Sequence, residues 1–285
     1  MVYLEEFELP DIVSEERFLG GIMMTCFENF YPFGIFPPKE LGTLSFEPIT
    51  ILYGSNGSGK TTLINVMAER LNALRGAPYN KSSFFDDYVK MCDLRWKTAY
   101  HDSTVITSDD VFDFIFDVRR LNEGVDDKRD ELMEEYLELK TKPFQMRSLD
   151  DYEHLKRVNQ ARKGSKSEFI RKSLVKNVPE RSNGESALMY FTNKIQENQI
   201  YLLDEPENSL SAEYQQELLQ FIEDSARFYN CQFVIATHSP FLLAAKYAKI
   251  YDLDAKPVTV KKWTELENVR RYFDFFMAHA EEFCK

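Results

Sequence analysis

Residues 51–71 read ILYGSNGSGKTTLINVMAERL. A short apolar run, Ile51-Leu52-Tyr53, leads into a turn with glycines at Gly54, Gly57 and Gly59. Gly54-Ser55-Asn56-Gly57-Ser58-Gly59-Lys60-Thr61 has the spacing G-x-x-x-x-G-K-[ST], which describes a phosphate-binding loop. Glycines let successive backbone N–H groups curl around an anion without a Cβ in the way. Leu63, Ile64, Met67, Leu71 and Leu74 then recur at helical spacing. This predicts a helix over 61–74, stopped by Gly76 and Pro78. Its N-terminus would face the same anion. In this reading Ser55, Asn56, Gly57, Ser58, Gly59 and Thr62 line the loop, Lys60 reaches the β- and γ-phosphates, and the Thr61 hydroxyl binds Mg²⁺. A glycine-rich turn without a ligand is the competing reading, and the strand before and helix after argue against it.

The loop alone does not name a reaction, because kinases, GTPases and ATPases share it. A second stretch, QIYLLDEPE, is a buried-strand pattern ending in Asp204 and Glu205. A carboxylate at the tip of a parallel strand can hold Mg²⁺ through water, which assigns Asp204, and Glu205 could accept a proton from the attacking water. Two acids after a strand also occur as solvated loop charges. The next strand pattern, CQFVIATHSP, is closed by His238. Ligands of open parallel sheets gather at the carboxyl ends of strands, so a histidine there could order the attacking water. A capping or buried, hydrogen-bonded histidine fits the same letters.

Between these strands, residues 211–229 place Tyr214, Leu218, Phe221, Ile222 and Phe228 on one helical face, with Ser211 as N-cap and Glu213 in the first turn. Strand–helix–strand order with short links implies parallel strands and a right-handed crossover. Upstream, LGTLSFEPITILY (41–53) predicts a strand pair ending at Tyr53, and STVITSDDVFDFIF a strand, a polar turn and a helix.

From about Asn122 the composition changes. DDKRDELMEEYLEL is acidic and helical in pattern, and residues 148–177 are helical and become basic. Pro143, Gly164 and Pro179 punctuate the region into two or three helices. This predicts a core of residues 1–116 and 186–285 with a helical lobe over 117–185. Between Lys156 and Lys176 lie eight cations and one acid, Glu168. Such a run could track a nucleic-acid backbone. The plainer reading pairs it with the acidic helix around Asp126–Glu138, or leaves it solvated.

The chain of 285 residues, 44% hydrophobic, suffices for one large core or a core with a lobe. Its net charge of −12 argues against nonspecific nucleic-acid binding by the whole surface. No apolar run approaches the roughly 20 residues of a membrane span. The acidic N-terminus lacks the order of a signal peptide, so a cytoplasmic location is expected. Cys26, Cys92, Cys231 and Cys284 are scattered and predict neither a zinc site nor a disulfide framework. His101, His154, His238 and His279 form no ligand cluster.

Taken in order, GSNGSGKTT, SNGES, YLLDEPENSLS and IATHSP resemble an ABC-type ATPase of the SMC/RecF-like soluble class, and most closely its small standalone bacterial members described as AAA-family ATPases. The resemblance covers the chain before about Phe116 and after about Arg181. It implies an α/β P-loop fold: a mainly parallel central sheet flanked by helices, N-terminal antiparallel strands and an inserted helical lobe. It also implies Mg²⁺-dependent ATP hydrolysis, with two copies trapping two ATP molecules head to tail.

The family's signature maps to Ser182-Asn183-Gly184-Glu185-Ser186, where S-N-G-E departs from the transporter form S-G-G-Q and favours a non-transporter. Ser182, Gly184 and Glu185 would then meet the nucleotide held by the other copy's Lys60 loop. Without the family, the same stretch is a loop and a helix cap. The family's D-loop maps to residues 207–211, along the dimer interface. Its Mg²⁺-linked glutamine has no clear counterpart; Asp109 is the candidate by placement, and Gln145 the alternative. Phe30 or Tyr31 could stack on adenine or belong to the core. Compact relatives accompany nucleases or other effectors in antiphage defence, which implies an effector partner. A nucleic-acid-binding SMC-like ATPase of DNA repair or end sensing is the alternative, and an assembly scaffold with negligible hydrolysis a third.

Overall fold

The computed structural model describes residues 1–23, 26–98, 102–179 and 181–283; His101 and Cys284 lie outside the described residues. The first part of the chain forms β1 (Leu4–Glu8), α1 (Ile12–Gly20), β2 (Thr43–Ser45), β3 (Ile49–Tyr53), α2 (Lys60–Arg70), α3 (Phe85–Lys90), β4 (Asp93–Trp96) and β5 (Ser103–Thr107). Four helices follow: α4 (Ser108–Thr141), α5 (Tyr152–Lys163), α6 (Lys166–Ser173) and α7 (Asn183–Lys194). The remainder is β6 (Ile200–Asp204), α8 (Ala212–Phe228), β7 (Gln232–Ala236), α9 (Pro240–Leu243), β8 (Lys249–Asp252), β9 (Thr259–Val260), α10 (Glu267–Ala278) and α11 (Ala280–Phe283).

Two compact units divide the chain: Met1–Phe112 with Ser182–Lys285, and Asp113–Arg181. The first holds two sheets. One is three-stranded and antiparallel, in the order β2-β1-β4; the other is six-stranded, in the order β5-β6-β7-β3-β8-β9. In the larger sheet every pair is parallel except β8 with β9. Strands β3, β6 and β7 are buried at every position. Such continuous apolar runs suit a parallel sheet covered on both faces.

This architecture corrects the strand pair expected at 41–53. β2 pairs with β1, whereas β3 lies between β7 and β8 in the other sheet. Local alternation does not reveal which partners a strand takes. Gln232, at the start of β7, joins the two sheets. Its Oε1 accepts from the N–H groups of Tyr3 and Leu4, each at 2.9 Å, and its Nε2 donates to the Leu4 carbonyl at 2.9 Å. The residue is fully buried, so these bonds replace the water it gives up.

α2 also ends earlier than its apolar spacing predicts. It stops at Arg70, and Asn72 takes a left-handed φ of 50°. Leu74, expected on the helix, is exposed; its backbone bonds to Ser103 and Val105 at 2.8 Å each and extends the sheet edge beside β5. Leu63, Ile64, Val66 and Met67 carry the buried face of α2, each contributing about 1.5–3 kcal/mol relative to exposure.

The acidic and preceding segments are one helix of 34 residues, α4, rather than two, and from Asp113 onward it belongs to the second unit. The change of composition near Asn122 does not break it, because Asn122 is buried and exchanges two hydrogen bonds with the Val178 backbone, at 3.0 and 2.9 Å. Leu132, Tyr136 and Leu139 of α4 pack with Val158, Ala161 and Phe169 to give this unit its own core. Pro143 follows the end of α4, and Gly164 separates α5 from α6. Among the described residues, an ion pair crosses from the basic run to the acidic helix, Arg157–Glu135 at 2.7 Å. Lys156 instead pairs with Glu153 of its own helix.

Cys92 and Cys231 are buried free thiols and Cys26 an exposed one. Among the described residues, no helix is long and apolar enough to cross a membrane.

Candidate nucleotide site

The parallel register sets the site. Thr107 is level with Asp204, Asp204 with Ala236, Leu52 with Ala236, and Tyr53 with Asp252. The ends of β3, β5, β6 and β7 therefore come together at one edge, and the glycine loop leaves β3 there. A cavity of about 780 Å³ opens at this edge, with Gly54, Ser55, Asn56, Glu205 and His238 in its lining.

The loop is shaped by its glycines. Gly57 and Gly59 have φ of 81° and 94°, a region an L side chain resists. A Cβ on Gly54 would run into Ser58 Oγ. The Lys60 ammonium is buried and donates to the carbonyls of Gly54 (2.8 Å) and Ser55 (3.2 Å). Thr61 Oγ1 donates to Asp204 Oδ1 at 3.2 Å. Burial raises the Asp204 carboxyl to about 6; the Thr61 hydrogen bond opposes that rise and the nearby Glu205 charge adds to it.

Glu205 stands at a left-handed backbone position, φ 48°. That conformation costs a residue with a Cβ about 1 kcal/mol, and here it accompanies a carboxylate held among charges. Its Oε2 accepts from Asn208 Nδ2 at 3.1 Å, while Oε1 lies 3.7 Å from Lys60 Nζ and 4.0 Å from His238 Nδ1. His238 Nδ1 is buried without a hydrogen-bond partner.

The remaining expected residues are placed less centrally. Ser55 is engaged twice by Asp254, through its N–H (2.7 Å) and its hydroxyl (2.9 Å). Thr62 Oγ1 accepts from the Tyr31 hydroxyl at 3.0 Å, so Thr62 faces the aromatic core. Tyr31 stacks on Phe85 and Phe30 on Phe84, and both residues are half-buried. Ser182 caps α7 through the Glu185 N–H at 3.2 Å. A Cβ on Gly184 would lie 2.6 Å from the Tyr214 ring, so glycine is required there by the α7–α8 contact. Neither Ser182 nor Gly184 lines the cavity. Asp109 is exposed in the first turn of α4, and Gln145 is exposed in the second unit.

Three further side chains organise the site: Glu207, which the motifs assigned only to the D-loop, and Asp110 and Arg75, which they did not single out. Glu207 is buried, and its Oε1 accepts from Thr237 Oγ1 (2.6 Å), His238 N (3.0 Å) and Ser239 N (3.2 Å), fixing the loop that carries His238. Asp110, beside Asp109, accepts from Ala77 N and from the Thr107 N–H and hydroxyl. Arg75 donates to Asn65 and lies over the Tyr79 ring at 4.2 Å. Burial lowers its pKa, opposed by nearby groups that include Asp110 and Asp204. Each lies in a polar stretch whose sequence signal is that of a loop.

These groups fit a phosphate-bearing nucleotide. Ser58 Oγ is a buried hydroxyl without a partner, within a loop of left-handed glycines. Thr61 and Asp204 present two hard oxygens. Among the described residues no three carboxylate, histidine or cysteine side chains form a metal cage. Two protein oxygens suit Mg²⁺, which keeps several waters and takes its other ligands from phosphates.

A family model described as "ABC transporter" matches residues 42–208, more than half of the chain and a span containing both the glycine loop and the Asp204-Glu205 pair. The chain belongs to the ABC transporter family of P-loop ATPases. An AAA-domain model whose description names the AbiEii toxin and a type IV TA system matches residues 187–244. No curated protein matches the chain.

Among solved structures, this ABC ATPase is similar to an Smc head domain with an extended coiled coil, bound to the C-terminal domain of ScpA, from Pyrococcus furiosus. Identity there is 14% and the TM-score 0.42, covering 100% of each chain. It is similar to an inward-facing metal-chelate type ABC transporter at 16% identity and TM-score 0.41, covering 96% of this chain and 90% of that one. The SMC head domain from Thermotoga maritima has 11% identity and a TM-score of 0.40, covering 91% and 98%.

Proposed function

We propose that this chain is a Mg²⁺-dependent ATPase whose two copies close on shared nucleotides, and that closure controls a separate effector. The observation that carries the reading is the setting of Glu205, with one carboxylate oxygen tied by Asn208 and the other between Lys60 and His238. Lys60 and the glycine loop bind the β- and γ-phosphates. Thr61 and Asp204 would hold Mg²⁺, which supplies charge neutralisation at the phosphates. Glu205 accepts the proton of the attacking water, and His238 orients that water. Asp109 would be a further, solvent-side metal contact.

Ser182, Gly184 and Glu185 are assigned to the nucleotide of the second copy. An exposed helix N-terminus with a capping serine suits a γ-phosphate brought to it by another molecule. The effector is proposed to be a protein such as a nuclease, acting in antiphage defence in the cytoplasm. The AAA-domain description naming a toxin of a type IV TA system supports an effector-linked role. Size-exclusion chromatography of Glu205→Gln with ATP tests the switch: an ATP-dependent dimer is expected, and a monomer with every nucleotide defeats it. Pull-down with and without ATP tests the effector.

A nucleic-acid partner is the second reading. It is favoured by a polar cleft in the second unit where Lys156, Lys163 and Lys172 gather with Glu168. Binding of labelled DNA and RNA over a salt series decides it, since a backbone contact must weaken steeply with salt.

A further inference from the structure

The cavity that the glycine loop lines is also lined by α10, through Glu267, Asn268 and Arg271. These positions are i, i+1 and i+4, one face of a helix. α10 is tied to the residue that precedes the loop: the Asn268 N–H donates to the Tyr53 hydroxyl at 3.1 Å. Leu266 and Val269, either side of Asn268 in the chain, are buried, so the first turn is anchored while α10 from Arg270 to Ala278 is exposed. Among the described residues lining the cavity, Arg271 is the one lysine or arginine, and the carboxylates include Glu205, Asp254 and Glu267. Its guanidinium is paired with Glu267, and both side chains are 74% exposed.

We propose that Arg271 is a nucleotide-binding residue of the same chain: when a nucleotide enters, the guanidinium leaves Glu267 and donates to the polyphosphate. An exposed i,i+4 pair contributes little and is given up at small cost. A guanidinium matches phosphate oxygens with two parallel, charge-assisted hydrogen bonds, which are stronger. Glu267 then acts against binding in two ways, by holding the guanidinium and by placing a negative charge at the cavity. α10 is thereby a cis wall that senses the nucleotide before any second copy arrives. The neighbouring Arg270 is a natural control, because its guanidinium lies over the Phe273 ring at 5.5 Å and is not part of the lining.

The inference rests on the nucleotide-site reading above, and the experiment separates the two. ATP affinity is measured by titration calorimetry at fixed ionic strength for the full chain and for Lys60→Ala, Arg271→Ala, Arg270→Ala and Glu267→Gln. Arg271→Ala is expected to weaken ATP about tenfold, Glu267→Gln to tighten it, and Arg270→Ala to leave it unchanged. All three positions are exposed, and circular dichroism checks that the variants fold. Wild-type affinity in Arg271→Ala, or equal losses in Arg270→Ala and Arg271→Ala, overturns the proposal. Failure of the parent chain to bind ATP, or full binding by Lys60→Ala, overturns the site reading itself.

Discussion

At the tips of β3 and β6, charged groups are buried and held by protein partners; at the start of α7, polar groups stand at the surface. Lys60, Asp204 and Glu207 are each less than a tenth exposed and each makes hydrogen bonds within the chain. Ser182 and Asn183 are exposed, and the Ser182 hydroxyl does no more than cap the Glu185 N–H. Burying a charge is costly unless its partners are fixed in advance, so the strand-tip half is built by one fold. A solvated helix cap carries no such demand. The same surface can stand free in one molecule and meet a phosphate carried by another.

The largest expected effect tests the buried half. Lys60→Ala should abolish ATP binding in calorimetry, because the only ammonium bonded within the loop is removed. Wild-type affinity in that variant would erase the distinction between the two halves. Next, Glu205→Gln should retain ATP binding but lower turnover on the order of a thousandfold, as expected for loss of a general base. Phosphate release reads it, and unchanged turnover would move the base elsewhere.

Asp204 gives a smaller effect with a defined pH dependence. Its carboxyl is raised from 3.8 to about 6 by burial, so the folded chain holds the proton more tightly than the unfolded one. Relative to the protonated form, ionisation costs stability: the cost is absent below about 4, grows as pH rises, and is complete above about 6. Asp204→Asn should therefore stabilise the metal-free protein at pH 7 by on the order of 3 kcal/mol, a gain that vanishes near pH 4. Thermal melts at the two pH values check this, and a destabilised variant at pH 7 would mean that Asp204 is better satisfied than its burial implies.

The smallest effect belongs to the exposed half. Ser182→Ala should cost the single chain about 1 kcal/mol through the lost cap and leave its ATP affinity unchanged. The ATP-dependent dimer of Glu205→Gln should nevertheless be lost when Ser182→Ala is added. A dimer that survives in the double variant would leave Ser182 as a helix cap alone.

The two halves also differ in how legible they were. Gly54, Gly57 and Gly59 stand out in sequence because the requirement they meet is local: a turn of left-handed residues around an anion. β6 and β7 announce themselves as unbroken apolar runs closed by polar residues. Glu207 does not, because its burial depends on a loop thirty residues later that supplies three donors. Asp110 looks like its neighbour Asp109, yet one is buried on Thr107 and Ala77 and the other exposed. Phe30 and Tyr31 read equally well as adenine platforms or core, and their stacking on Phe84 and Phe85 is a contact that the letters around them do not contain.

By itself, the sequence determined that this chain carries a phosphate loop between a strand and a helix, followed by acid-tipped and histidine-tipped strands in an α/β order. Those features follow from glycine sterics and from the period of apolar residues, which act over a few positions. Tertiary structure decided that β2 and β3 belong to different sheets, that α4 is one helix, that Glu207 sets the His238 loop, and that α10 walls the cavity. Each of these depends on groups far apart in the chain satisfying one another's hydrogen bonds and surfaces, a condition that no short stretch of letters contains.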